Sequence, residues 1–191
     1  KKARYNQPWY IGDTISVGIG QGYWTATPVQ LLDSINTIIN EGQRLQPRIY
    51  LGSNIAGKPV FEPPVSKRPI QVLNNDNWRI IKESLHNTVN KPHGTAFKAY
   101  KNTAYESAGK TGTAQLFTVA QDEEYDDLII ADYLKDNAMY FGYAPSEDPQ
   151  ISIMVALENA GGGGSNAAPI ARQVMDYMLT HKNNHISAGG H

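Results

Sequence analysis

Two apolar runs, Met139-Tyr140-Phe141-Gly142-Tyr143-Ala144 and Ile151-Ser152-Ile153-Met154-Val155-Ala156-Leu157, flank a short segment from Pro145 to Pro149, and nothing else constrains the fold as tightly. Aromatic and β-branched residues in runs of this length favour extended backbone, and so short a linker leaves antiparallel pairing as the natural connection. Upstream lies a third strand of mostly small residues, Ala108-Gly109-Lys110-Thr111-Gly112-Thr113-Ala114-Gln115, with one buried-looking lysine. Downstream, after a glycine connection at 161–164 expected to be flexible, Ile170, Val174, Met175, Met178 and Leu179 recur at helical spacing. The tail at 183–191 is polar and expected to be flexible.

Before these strands the chain reads as helical. Thr25 or Thr27 caps a segment with Pro28 in its first turn, and Val29, Leu31, Leu32, Ile35, Ile38 and Ile39 mark a core face up to a stop at Gly42. Asn75 or Asp76 caps a second helix with Trp78, Ile81, Leu85 and Val89 on one face, ending near Pro92 and Gly94. Between them, residues 47–62 suit a strand pair turned at Asn54 to Gly57, and Pro63 to Pro69 reads as a loop. The glycine-rich opening, residues 9–22, is expected to be extended and loop-like. The fold class is therefore α/β in the α+β sense: helices first, then three strands of an antiparallel sheet, then a helix.

Composition narrows the function. With 17 basic and 18 acidic residues interspersed and a formal charge of −1, no basic stripe exists to neutralise phosphates, which argues against nucleic acid as a partner. The absence of cysteine excludes a disulfide framework, a thiolate nucleophile and a Cys-ligated zinc. No apolar run approaches the ~18 to 20 residues that span a bilayer, so any anchor is expected to lie outside the chain.

The Lys-Thr-Gly strand carries the chemistry. A site that binds a peptide ending in a carboxylate needs a cation, hydroxyls to hydrogen-bond it, and a strand edge against which the peptide backbone can add. Lys110, Thr111 and Thr113 supply the first two. Gly112 removes a side chain where another backbone must come close. A backbone N–H here could serve as half of an oxyanion hole. Strand alternation places Lys110 and Gly112 on one face and Thr111 and Thr113 on the other, with edge twist turning rim hydroxyls toward a cleft. The plainer alternative is an ordinary edge strand with a solvated lysine.

Together with that strand, Asn6-Gln7-Pro8-Trp9-Tyr10-Ile11-Gly12-Asp13, Ser16-Val17-Gly18-Ile19-Gly20-Gln21-Gly22-Tyr23, Thr25-Ala26-Thr27-Pro28-Val29-Gln30 and Leu157-Glu158-Asn159 resemble the C-terminal half of a class B penicillin-binding protein of the elongation-specific kind found in Gram-negative bacteria. The resemblance runs over essentially all of residues 1–191. It implies the penicillin-binding, β-lactamase-like transpeptidase fold, a five-stranded antiparallel sheet flanked by helices, of which this chain would supply three strands. It implies a D,D-transpeptidase, a β-lactam target that cross-links peptidoglycan stem peptides through an acyl-serine intermediate. Carried over, Lys110, Thr111 and Thr113 would contact the substrate or β-lactam carboxylate, the Thr113 N–H would complete the oxyanion hole, and Gly112 would keep the strand open. No cofactor or metal is implied. The expected partners are the missing N-terminal part of the same protein and membrane proteins of the elongation machinery, the wall glycosyltransferase among them. The expected location is the periplasmic face of the inner membrane, held by an N-terminal helix absent here. The family's Ser-x-x-Lys and Ser-x-Asn motifs lie upstream of residue 1, so the isolated segment is expected to be inactive and poorly stable. A D,D-carboxypeptidase or penicillin-hydrolysing relative, and a non-catalytic binding module of the same fold, remain as alternatives that an upstream Ser-x-x-Lys would discriminate.

Other features are weaker. Ser107-Ala108-Gly109-Lys110 has the spacing of a nucleophile and its base, but Gly109 and the strand argue against a helix there. Ser34-Ile35-Asn36 matches Ser-x-Asn within apolar helix positions. Gly18, Gly20 and Gly22 imitate a dinucleotide loop, but Tyr23 replaces the third glycine. His181 and His185 stand at i, i+4 in a polar tail, and His86 and His93 have no carboxylate at motif spacing. Residues 122–137 form an acidic excursion containing seven carboxylates, with Leu128, Ile129, Ile130 and Leu134 suggesting a short helix; a solvated loop is the plain reading and substrate gating the sharper one. Tyr23 and Trp24 belong to the core or to a partner surface.

Overall fold

The structure is a computed structural model that describes residues 3, 6–22, 24–114 and 135–186, with side chains to Thr180. The acidic excursion at 122–134, Tyr23, Gln115, the side chains of His181 and His185, and the tail at 187–191 lie outside the described residues; the last helix runs on through 183–186.

The first element corrects an expectation. Ile11–Gly18 is a helix, α1. Asp13 accepts the Tyr10 N–H at 2.7 Å, capping the first turn, and Ile11, Ile15 and Ile19 recur at i, i+4, i+8, a period that the surrounding glycines obscure. None of its residues is buried, and those three isoleucines are 86%, 67% and 76% exposed. Pro28–Ile39 forms α2, capped by Thr27, whose Oγ1 accepts the Gln30 N–H at 3.2 Å while Gln30 Oε1 accepts the Thr27 N–H at 2.9 Å. Ile35 is its fully buried anchor, and Gly42 ends the segment at φ 91°, where a side chain would overlap the Ile70 carbonyl.

Arg44–Leu45 (β1) pairs antiparallel with Ser66–Lys67 (β4), so the segment expected to be a plain loop carries a two-residue ladder. Gly52–Ile55 (β2) and Lys58–Phe61 (β3) form the expected hairpin, turned by Ala56 and Gly57, both at positive φ as a two-residue type I′ connection requires. Asp76–Asn90 is α3, burying Trp78, Leu85 and Val89; the side-chain acceptor at its start is Asn74 Oδ1, 2.9 Å from the Asp76 N–H. Ile81, assigned to that face, is 39% exposed. A one-turn helix, Phe97–Tyr100 (α4), leads to the sheet.

Ala108–Ala114 (β5), Asn137–Ala144 (β6) and Ile151–Leu157 (β7) form an antiparallel meander in the order β5-β6-β7, with Lys110 opposite Phe141, Gly112 opposite Met139 and Ala138 opposite Leu157. The glycines expected to be a flexible connection are instead built into a π-helical turn, Gly163–Ala167, leading into Ala168–Ile186 (α5). On α5 the expectation holds for Met175 and Leu179, which pack into the core, and fails for Ile170, Val174 and Met178. Ala168, Ala171 and Met175 are fully buried, whereas Ile170, Val174 and Met178 are 40–42% exposed. The alanines let the helix axis approach the sheet closely, and proximity outweighs the greater hydrophobicity of the isoleucine face.

One buried cluster joins Val89, Tyr100, Ala138, Tyr140, Ala144, Ala171 and Met175; a second, containing Ile35, Leu85, Ala108 and Tyr143, packs α2 and α3 onto the sheet. Tyr100 and Tyr140 stack at a centroid distance of 5.6 Å, and the Tyr100 hydroxyl reaches Met175 Sδ at 3.5 Å. Burial drives both phenols far above the ordinary value of 10.0. The fold therefore keeps protons that the unfolded chain releases above about pH 10. Stability is expected to be insensitive to these groups below that pH and to fall above it, by about 1.4 kcal/mol per pH unit per phenol. Denaturant titrations of the polypeptide carrying these residues at about pH 9 to 11 will test this; a flat profile refutes it.

Candidate active site

β5 is the outer strand of its sheet, with no neighbour on its far side among the described residues. Its buried residues anchor it: Ala108, Gly109 and Thr111 are buried, while Lys110 and Thr113 are exposed and Gly112 is half-buried between them. Lys110, which reads as buried in sequence, stands at the rim, where its ammonium donates to the Thr111 carbonyl at 2.6 Å. The partner is a neutral backbone oxygen, and a carboxylate would bind the ammonium more strongly, since charge-assisted pairs are the stronger ones.

Thr111 points inward, and its Oγ1 lies 2.7 Å from Thr95 Oγ1. Thr113 keeps an exposed side chain at the rim. Its carbonyl accepts a hydrogen bond from Gln21 Nε2 at 3.4 Å, across 92 residues of sequence. Gln21 is placed by the end of α1: Gly20 and Gly22 adopt φ 79° and 73°, and the Gln21 N–H donates to the Ser16 carbonyl at 2.8 Å. The Gly-Gln-Gly segment thus meets the Lys-Thr-Gly strand directly.

The remaining candidates separate from this site. Ser107 is 1% exposed and enters β5 in extended backbone, so it shares no helix with Lys110. Ser34 sits on α2 with its hydroxyl donated to the Leu31 carbonyl at 2.7 Å. His86 does have a carboxylate, Glu106 Oε2 at 2.9 Å from Nε2, a long-range pair that local spacing conceals. His93 and Trp24 are exposed. No group of three or more His, Asp or Glu side chains suited to a metal ion occurs among the described residues.

Residues 2–176 match the penicillin binding protein transpeptidase domain. The chain belongs to that family. It is 42% identical over 182 residues to the peptidoglycan D,D-transpeptidase MrdA of Haemophilus influenzae, covering 95% of this chain and 28% of that protein. The crystal structure of Pseudomonas aeruginosa PBP2 in complex with WCK 5153 superposes with a TM-score of 0.73 at 35% identity, covering 94% of this chain and 36% of that one. Helicobacter pylori PBP2, in its complex with MreC, shares the fold with a TM-score of 0.75 at 23% identity, covering 94% and 30%. The chain therefore spans about a third or less of these relatives, and the α+β arrangement above is part of a penicillin-binding transpeptidase fold.

Two contacts of this transpeptidase domain escaped sequence reasoning. Gln21 lay inside a recognised motif but gave no hint of its partner. Thr95 belongs to no motif that the sequence singles out, and its contact with Thr111 is visible only in three dimensions. No helix among the described residues is long and apolar enough to cross a membrane.

Proposed function

We propose that residues 1–191 supply the Lys-Thr-Gly half of a peptidoglycan D,D-transpeptidase site at the periplasmic face of the inner membrane. The observation that carries this reading is the outer edge of β5, unpaired among the described residues, with Lys110 and Thr113 exposed on either side of Gly112. The Lys110 ammonium and the Thr113 hydroxyl receive the terminal carboxylate of a stem peptide or β-lactam, while Thr111 acts from beneath, its hydroxyl paired with Thr95. The peptide backbone adds along the strand edge, and Gly112 leaves room for it.

The nucleophilic serine and its base come from elsewhere in the polypeptide. Serine Oγ attacks the penultimate carbonyl, its proton passes to the base, and the Thr113 N–H stabilises the oxyanion. Collapse breaks the peptide bond and releases the terminal residue as an amine. The amine of a second stem peptide then attacks the acyl-serine, forming the cross-link and freeing the serine. The exposed isoleucines of α1 and the Ile170, Val174, Met178 stripe of α5 support burial against the rest of the transpeptidase domain. Elongation-machinery membrane proteins are the proposed partners, a reading that the MreC complex of the H. pylori relative supports.

Incubating the polypeptide that carries these residues with a fluorescent penicillin, followed by intact mass on every labelled band, tests this. Covalent label on a serine outside residues 1–191 is expected. Label on Ser107 would overturn the division of the site, and no label would favour a non-catalytic binding module.

A further inference from the structure

We infer that Thr95 is a positioning residue for the rim of β5. The inference rests on the acyl-serine reading above and explains how the strand that receives the ligand is held in register. The Thr95–Thr111 hydroxyl pair, at 2.7 Å, lies directly beneath the rim, on the strand residue between Lys110 and Gly112. Thr111 is 9% exposed while Thr95 stands at the surface, so the pair is part-buried and its Thr111 end is the one withdrawn from solvent.

Thr95 is itself held by close backbone approaches on both sides. A side chain on Gly94 would overlap the Thr88 carbonyl near the end of α3, and the Ala96 N–H donates to that same carbonyl at 3.1 Å. On the other side, a side chain on Gly164 would overlap the Thr95 carbonyl, and one on Gly163 would overlap the carbonyls of Gly112 and Met139. The Gly94-Thr95 segment is thus wedged between α3 and the π-helical turn, a type of element that recurs at functional sites. Its hydroxyl is the polar contact through which this wedge grips β5. A hydrogen-bonded hydroxyl fixes both the rotamer of Thr111 and the height of the strand, and hence where the Lys110 ammonium and the Thr113 N–H point. Reaction rates are sensitive to displacements of about 1 Å, so the loss should appear in chemistry rather than in binding.

The test uses the complete polypeptide, a fluorescent penicillin, and three measured quantities: the pre-acylation dissociation constant, the acylation rate constant and the stoichiometry of labelling. Thr95→Val is expected to slow acylation about 10-fold, with the dissociation constant changed less than about two-fold and full stoichiometry retained. Thr95→Ser, which restores the hydroxyl, is expected to recover the wild-type rate. Should the valine variant not fold, Thr95→Ala, which leaves space instead of pressing a methyl group on Thr111, must show the same loss. Wild-type rates in Thr95→Val or Thr95→Ala overturn the inference while leaving the acyl-serine reading intact. A loss confined to stoichiometry overturns it too, by showing a purely structural role. Absence of label on the wild-type protein would instead remove the acyl-serine reading and this inference with it.

Discussion

Lys110→Ala in the complete polypeptide is expected to slow acylation by a β-lactam about 100-fold or more while the thermal midpoint stays where it was. The two halves of this expectation come from different atoms of one residue. The Lys110 side chain is exposed, and its ammonium contacts a carbonyl of its own strand; truncating it opens no cavity and strands no buried charge. The anchoring of β5 is done by its neighbours, Gly109 and Thr111, which are buried. What disappears is the cation at the rim, and with it the charge-assisted contact that orients a ligand carboxylate. Labelling time courses and thermal melts on the same samples decide the matter. Wild-type labelling kinetics would remove Lys110 from the site, and a collapsed melt would make it a structural residue.

The second large effect falls on a glycine. In Gly163→Ala the new methyl group would overlap the carbonyl oxygens of Met139 and Gly112, both backbone atoms of the sheet, with the Gly112 nitrogen at 3.0 Å. No side chain can rotate away, so the π-helical turn must lift off β5 and carry with it Ala167 and Ala168, both fully buried. A cost of about 3 kcal/mol or more follows, a large part of the roughly 5 to 15 kcal/mol that holds an ordinary domain together. Gly112→Ala, across the contact, is the control. Its methyl group would sit 3.5 Å from Met139 Cβ and Cε, ordinary packing distance, so stability is expected to change by less than about 1 kcal/mol. On the proposed reading Gly112 leaves room for ligand backbone, so the same methyl group should slow acylation. Thermal melts should therefore separate the two alanines in one direction and labelling rates of the folded fraction in the other. The reverse pattern would mean that the roles of these glycines are interchanged.

Local signals in the sequence were legible wherever one interaction dominated. The β6–β7 hairpin followed from its apolar runs and short linker, and α2 from a threonine cap, Pro28 in the first turn and apolar residues at helical spacing. α1 was hidden because glycines at 12 and 18 outweighed its isoleucine period. On α5, Met175 and Leu179 are read correctly, but Ile170 is placed inward in place of Ala171 because hydrophobicity ranks it higher, whereas the sheet selects the residue small enough to come close. The proposed site residues Lys110, Thr111, Gly112 and Thr113 are read from strand chemistry alone, and the structure shows Lys110 and Thr113 exposed on β5 and Thr111 buried. The inward turn of Thr111 and the contacts of Gln21 and Thr95 depend on segments brought together from 92 and 16 residues away, for which the chain carries no local signal.

The connectivity of the meander also orders its assembly. β6 and β7 are joined across residues 145–150, whereas β5 and β6 are separated by residues 115–136. Closing the longer span costs about 1 kcal/mol more chain entropy, so pairing of β6 with β7 is entropically favoured ahead of pairing with β5. The strand proposed to receive the ligand is thus the last of the three to be paired, and on that reading the capacity to recognise a carboxylate is acquired at the end, when the three strands are joined.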